Sequence, residues 1–202
     1  MNKCLICDNS FNPFVDFGNM PIANAFSTKK ELENEYLFSM KVGFCENCNM
    51  VQLLEQPDRE KMFHDNYAFF SSTSNYMISH FRKFANSVTS LQNLDQKSFV
   101  VEIGSNDGIM LQNFVSDKIP CLGIEPSKNV AEVSKSKGIG VITEFFDKSL
   151  AEKISKNYQK ADAILSANVM CHIPYMHSIY EGVKTLLNED GVFIFEDPYL
   201  GE

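Results

Sequence analysis

The sequence predicts an α/β chain, a sheet of about five parallel strands with helices on both faces, preceded by a small cysteine-bearing domain. Three observations carry that reading. From Ser98 onward, short apolar runs alternate regularly with amphipathic stretches, the pattern of parallel strands joined by crossover helices. Residues 1–60 hold two Cys-x-x-Cys pairs among prolines and glycines, with little sustained periodicity. Residues 61–97 form a connector that is first aromatic-rich and then helical.

Within the connector, Met77, Ile78, Phe81, Phe84, Ala85, Val88 and Leu91 recur at helical spacing, and Ser74 stands where an N-cap belongs. Phe99 to Ile103 then reads as a buried strand, followed by a glycine turn and a helix through Leu111 and Phe114. Cys121 to Glu125 is the second strand, and the segment around Val130, Ala131 and Val133 the second helix. Gly140 to Thr143 makes a short third strand, with a helix from Leu150 to Tyr158. Ala163 to Ser166 is the fourth strand. Pro174 suits the first turn of a helix through Ile179, Val183 and Leu187, and Gly191 to Phe195 closes the series as the fifth.

Cys4-Leu5-Ile6-Cys7 and Cys45-Glu46-Asn47-Cys48 read as two knuckles, each offering a pair of thiolates. Four sulfurs at tetrahedral angles suit zinc, a soft-tolerant ion without d-electron geometry. A redox role needs one pair only, so two pairs flanking one loop favour metal, with an iron–sulfur centre as the lesser alternative. Four protein ligands close the coordination shell, which makes such a site structural. Cys121 and Cys171 stand apart and default to packing.

The turn after the first strand is Glu102-Ile103-Gly104-Ser105-Asn106-Asp107-Gly108. Its glycines allow backbone to approach a ligand or take positive φ. The dinucleotide fingerprint seats a pyrophosphate on a helix N-terminus; here an acidic Glu102 at the strand end would repel a pyrophosphate and attract an ammonium group. That favours S-adenosylmethionine (SAM) over a nicotinamide dinucleotide. Glu125 ends the second strand about 20 residues on, where a carboxylate accepts from ribose hydroxyls. Phe146 flanks a candidate adenine position and Asp147 a candidate partner for its amino group, although either phenylalanine of the Phe145–Phe146 pair also suits a core.

Eighteen basic residues against twenty-six acidic ones leave a net charge of −8. That balance argues against nucleic-acid or anionic-membrane binding, and no apolar run is long enough to span a bilayer. Reduced thiols and the lack of a signal-like start point to the cytoplasm.

The cysteine quartet, the segment Asn66-Tyr67-Ala68-Phe69-Phe70-Ser71-Ser72-Thr73-Ser74, the glycine turn, Gly123-Ile124-Glu125-Pro126-Ser127, Asn168-Val169-Met170-Cys171-His172-Ile173 and Phe195-Glu196-Asp197-Pro198-Tyr199-Leu200 together resemble the nucleotide-sugar C-methyltransferase family. The resemblance implies a zinc-binding domain before a Rossmann-like SAM domain. It also implies removal of the proton beside the ketone of a nucleotide-linked 4-ketosugar and attack of the enolate carbon on the SAM methyl. It places Tyr67 over the active site and His172 in the catalytic group. It assigns Glu102, Gly104, Ser105, Asn106, Gly108, Glu125, Pro126 and Asn168 to the cofactor. The family's usual tyrosine near Phe69 is missing, which shifts the phenol's role to Tyr67. The family also continues into a Tyr-Asp-Glu-His segment and a further domain; the expectation is therefore of an N-terminal part, either a fragment, the product of a truncated gene, or one piece of a split enzyme with its C-terminal half encoded separately. Alternatives are a SAM-binding fragment inactive without that half, or a methyltransferase on another small acceptor.

Overall fold

The structure, a computed structural model, describes residues 3–23 and 26–198; Tyr199 and Leu200 of the last motif lie outside the described residues. The chain forms two compact units, Met1–Ala68 with Pro174–His177, and Phe69–Ile173 with Ser178–Glu202.

In the first unit, strands β1 (Asn12–Pro21), β2 (Leu37–Phe44) and β3 (Val51–Leu53) form an antiparallel sheet in that order. The sequence reading of this region contains no strands. β1 exposes nearly every residue, so it never shows the alternation that a half-buried strand imprints. Packing is local: Gly43 leaves room for the ring of Phe11, since a Cβ there would stand 2.3 Å from it. A short helix, α1 (Arg59–Met62), follows, its first turn capped by Asp58, which accepts from Glu60 N.

The second unit opens with α2 (Asn75–Gln92), and Ser74 is its N-cap, accepting from Met77 N at 3.3 Å. Its apolar stripe buries Phe81, Ala85 and Val88. The helix ends at Asn93, which takes the left-handed conformation at φ 51°, as C-terminal residues commonly do.

Strands and helices then alternate as β4 (Val100–Ile103), α3 (Leu111–Ser116), β5 (Cys121–Ile124), α4 (Lys128–Ser136), β6 (Gly140–Ile142), α5 (Lys148–Asn157), β7 (Ala161–Ala167), α6 (Met176–Leu186) and β8 (Leu187–Glu196). The sheet order is β6-β5-β4-β7-β8, with every pairing parallel. α6 starts two residues later than Pro174 suggests, and β8 follows it without a loop.

β4 is buried along its whole length, and Val100 joins Met110, Leu111, Phe114 and Leu165 in one core. The strand order reverses direction at β4: β5 lies on one side and β7 on the other. Crevices open beyond the carboxyl ends of strands at such a reversal, which is where the glycine turn sits.

Candidate active site and metal centre

The four cysteines Cys4, Cys7, Cys45 and Cys48 come together with all sulfurs within 4.8 Å of one another. Cys4 Sγ lies 3.5 Å from Cys48 Sγ, and Cys7 Sγ 3.6 Å from Cys45 Sγ. Disulfide sulfurs stand only about 2.05 Å apart. Zinc–sulfur bonds of about 2.3 Å at tetrahedral angles put sulfurs about 3.8 Å apart, so the quartet has the dimensions of a zinc shell.

Both knuckles are built alike. Cys4 N donates to Asn9 O and Asp8 N to Cys4 O; Cys45 N donates to Met50 O and Asn49 N to Cys45 O. The residue after each pair, Asp8 or Asn49, takes positive φ, 57° and 62°, a conformation these side chains tolerate better than most. Hydrogen bonds from the Asn9 side chain and backbone, then from Asn47, hold the Cys7 thiol down at about 6. Although the Met50 backbone donates to it, burial and three neighbouring sulfurs push Cys48 up to about 12. Such crowded thiols need a cation to ionise together, which a divalent metal supplies. Gln52, absent from the sequence reading, fastens the first knuckle by accepting from Leu5 N at 2.9 Å.

In the second unit, the residues after β4 wrap into a turn in which Gly104 and Gly108 take φ +71° and +77°. A Cβ on Gly104 would stand 2.4 Å from Val169, and one on Gly108 2.4 Å from Ile139. Only glycine satisfies both conditions. Ser105 is buried in the same way against Gly123, whose absent Cβ makes its space.

Three carboxyl groups are buried around this turn: Glu102, Asp107 and Glu125. Glu125 Oε2 accepts from Asn106 N at 2.9 Å and Oε1 from Ser127 N at 2.8 Å. A carboxylate offers about four lone-pair sites, so acceptor capacity remains. Burial raises the Glu125 carboxyl, with the Ser127 and Asn106 hydrogen bonds opposing the shift. Glu102 Oε2 is buried without a hydrogen-bond partner. Burial first, then the charges of Glu125 and Asp107, push the Glu102 carboxyl well above the usual glutamate range. An orphaned buried carboxyl under negative charge suits a cationic group, so the donor and acceptor set fits SAM.

The other predicted residues take varied places. Pro126 lies half-buried between Glu125 and Ser127. Asn168 is exposed just past β7 at φ 56°, its N donating to Glu196 O. His172 is exposed at the end of the short 3-10 turn Met170–His172 after β7. Phe146 is buried with its ring against Gly182 of α6, so packing occupies it. Asp147 is the N-cap of α5, accepting from Leu150 N at 2.8 Å. Tyr67 belongs to the first unit, where its ring lies 5.6 Å from that of Phe63. One pair escaped the sequence reading altogether: His80 Nε2 of α2 meets both carboxylate oxygens of Glu196 at 2.9 and 3.1 Å.

Among the described residues, no helix is long and apolar enough to cross a membrane. A family model described as a zinc binding domain matches residues 4–63, and one described as a methyltransferase domain matches residues 73–201. The C-methyltransferase NovU of Streptomyces niveus is 29% identical over 204 residues, which take in 100% of this chain and 48% of NovU. The chain thus spans about half the length of the curated relative it matches. The PH0226 protein of Pyrococcus horikoshii superposes with a TM-score of 0.54 at 14% identity, over 66% of this chain and 60% of its own. That likeness is one of fold alone. DesVI of Streptomyces venezuelae aligns at a TM-score of 0.49 and 14% identity, over 65% of this chain and 54% of its own.

Proposed function

We propose, from the premise that this chain belongs to the methyltransferase-domain family matched over residues 73–201, that its second unit binds SAM and serves the C-methylation of a nucleotide-linked 4-ketosugar. The observation that carries SAM binding is the orphaned Glu102 carboxyl at the end of β4, beside two glycines held at positive φ. In this reading Glu102 receives the ammonium of the methionyl moiety. Glu125 accepts from the ribose hydroxyls with its remaining lone pairs, and the backbone at Gly104 admits the ligand where a side chain would block it. Bound there, SAM supplies an electrophilic methyl group.

The acceptor chemistry rests on the motif resemblance and on the likeness to a C-methyltransferase. His172 follows β7 at the carboxyl rim of the sheet, where acceptors of open α/β folds lie. A ring nitrogen of its imidazole can take the proton beside a ketone or hold the ketone's oxygen through the developing negative charge. The zinc-binding cysteines contribute by folding the first unit, because a four-ligand shell leaves no position for substrate.

Titration calorimetry with SAM, followed by transfer of labelled methyl to a nucleotide-linked 4-ketosugar, tests the proposal. Saturable binding with label on the sugar carbon is the expected result. Absence of SAM binding overturns it; binding with transfer only to a different acceptor class overturns the sugar assignment alone.

A further inference from the structure

The glycine turn does more than line a crevice. Two of its polar side chains, those of Asn106 and Asp107, face a segment about 35 residues earlier in the chain. Asn106 Nδ2 donates to Phe69 O at 3.0 Å and its Oδ1 accepts from Ser71 N at 3.0 Å. Asp107 Oδ2 accepts from Ser72 N, also at 3.0 Å. A third member closes the group from the end of α4, where Lys137 Nζ donates to Ser72 Oγ at 2.9 Å and to Asp107 O at 2.6 Å.

The charges explain why a lysine is needed there. Asp107 is 2% exposed, and its Oδ1 is buried without a hydrogen-bond partner. Lys137 Nζ stands 3.8 Å from that oxygen and is the counter-charge in an environment that also contains Glu102 and Glu125. The ammonium therefore neutralises the buried carboxylate and holds Ser72 in the same grip. Ser71–Thr73 form a 3-10 turn that runs straight into the Ser74 cap of α2, so the bonds also fix where that helix begins.

Asn106 connects this group to the crevice. Its backbone N donates to Glu125 Oε2 while its side chain spans Phe69 and Ser71, and it is held at φ 48°, a conformation that costs a non-glycine residue energy. We infer that Asn106, Asp107 and Lys137 latch residues 69–72 onto the glycine turn, so that a ligand held by Glu125 and the ordering of this segment reinforce one another. The inference rests on the SAM-binding reading. Its physical basis is reciprocal: whatever free energy the ligand adds to the turn's ordered form, the ordered segment adds to ligand affinity. Lys137, Asp107 and the side chain of Asn106 are thus positioning residues, acting on the crevice through the turn.

Amide hydrogen exchange of the full chain with and without SAM, read at Ser71 and Ser72, is the test, with calorimetry on the same samples. SAM should slow exchange at both amides by about fivefold or more, the scale of one net hydrogen bond. Lys137→Met should abolish that ligand-linked slowing and weaken SAM binding by about tenfold, the scale of a charge-assisted bond. Lys137→Arg, which keeps the charge, should restore both. If Lys137→Met does not fold, Ser72→Ala removes one acceptor without exposing the buried carboxylate, and a diminished slowing at Ser71 is expected. SAM binding that leaves both amides unchanged, or an undiminished response in the variants that fold, overturns the latch alone. No binding by the native chain overturns the SAM reading and the latch with it.

Discussion

Replacing Cys45 with serine tests how far the first unit depends on metal. Cys45 and Cys4 are 0% and 1% exposed, and with Phe11 and Phe38 they are the buried apolar side chains of that unit among the described residues. Two of the four are therefore sulfur ligands. Burying two phenylalanines stabilises by about 3–6 kcal/mol in total, whereas a structural zinc contributes roughly 10–16 kcal/mol in small domains. The metal outweighs the remaining core. Serine at 45 removes one vertex of a quartet whose sulfurs lie within 4.8 Å of each other and leaves three thiols that cannot close a tetrahedron. The expected outcome is zinc content falling from about one per chain to well under a tenth. Limited proteolysis should then cut within residues 4–63 while the segment from Phe69 onward stays resistant. A chelator should reproduce the pattern in the native chain. A variant that keeps full zinc, or a zinc-free chain that resists protease within residues 4–63, would refute the reasoning.

Three further outcomes follow from the second unit. Glu102→Gln should raise stability to urea at pH 7 and flatten its pH dependence. The folded carboxyl is raised above its ordinary value, so native protein binds more protons than unfolded chain, and stability is lost as pH rises from the ordinary glutamate value through the folded one. The native chain should accordingly show that decline and the variant should lack most of it, while its SAM affinity falls. Gly104→Ala should abolish SAM binding in calorimetry and lower the thermal midpoint, because it combines φ +71° with a Cβ 2.4 Å from Val169. Glu125→Gln should weaken SAM binding by about ten- to a hundredfold, the scale of charge-assisted hydrogen bonds, with circular dichroism unchanged.

The parallel sheet was legible because its residues obey local rules. β4, β5 and β7 are buried strands whose residues are mostly apolar, and Ser74 caps α2 through its own side chain. What escaped reading depends on partners distant in sequence or on burial that a strand lacks. β1 buries neither face, so its residues carry no period. The separation into units between Ala68 and Phe69 falls inside a stretch whose composition gives no break. Gln52 holds Leu5 across 47 residues, and Lys137 reaches Ser72 across 65; no spacing rule connects such pairs. Asp8 and Asn49 did leave a trace, since Asp and Asn tolerate the left-handed conformation found after each cysteine pair.

The most informative letter was one that breaks a rule. Val100-Val101-Glu102-Ile103 is a central strand buried on both faces, and every consideration of core packing asks for a fourth apolar residue in it. A carboxyl there loses its hydration and gains two like charges as neighbours, and its Oε2 is left without a hydrogen bond. Among the described residues of the second unit nothing repays that cost: Lys137 is engaged with Asp107 and Ser72, the amides of Asn106 and Ser127 serve Glu125, and those of Gly104 and Ser105 donate to Ile124 O. Departures of this kind concentrate where a ligand completes the structure. The carboxyl at 102 thus argues for a cationic ligand more strongly than the glycines beside it, which would fold the same turn with or without one.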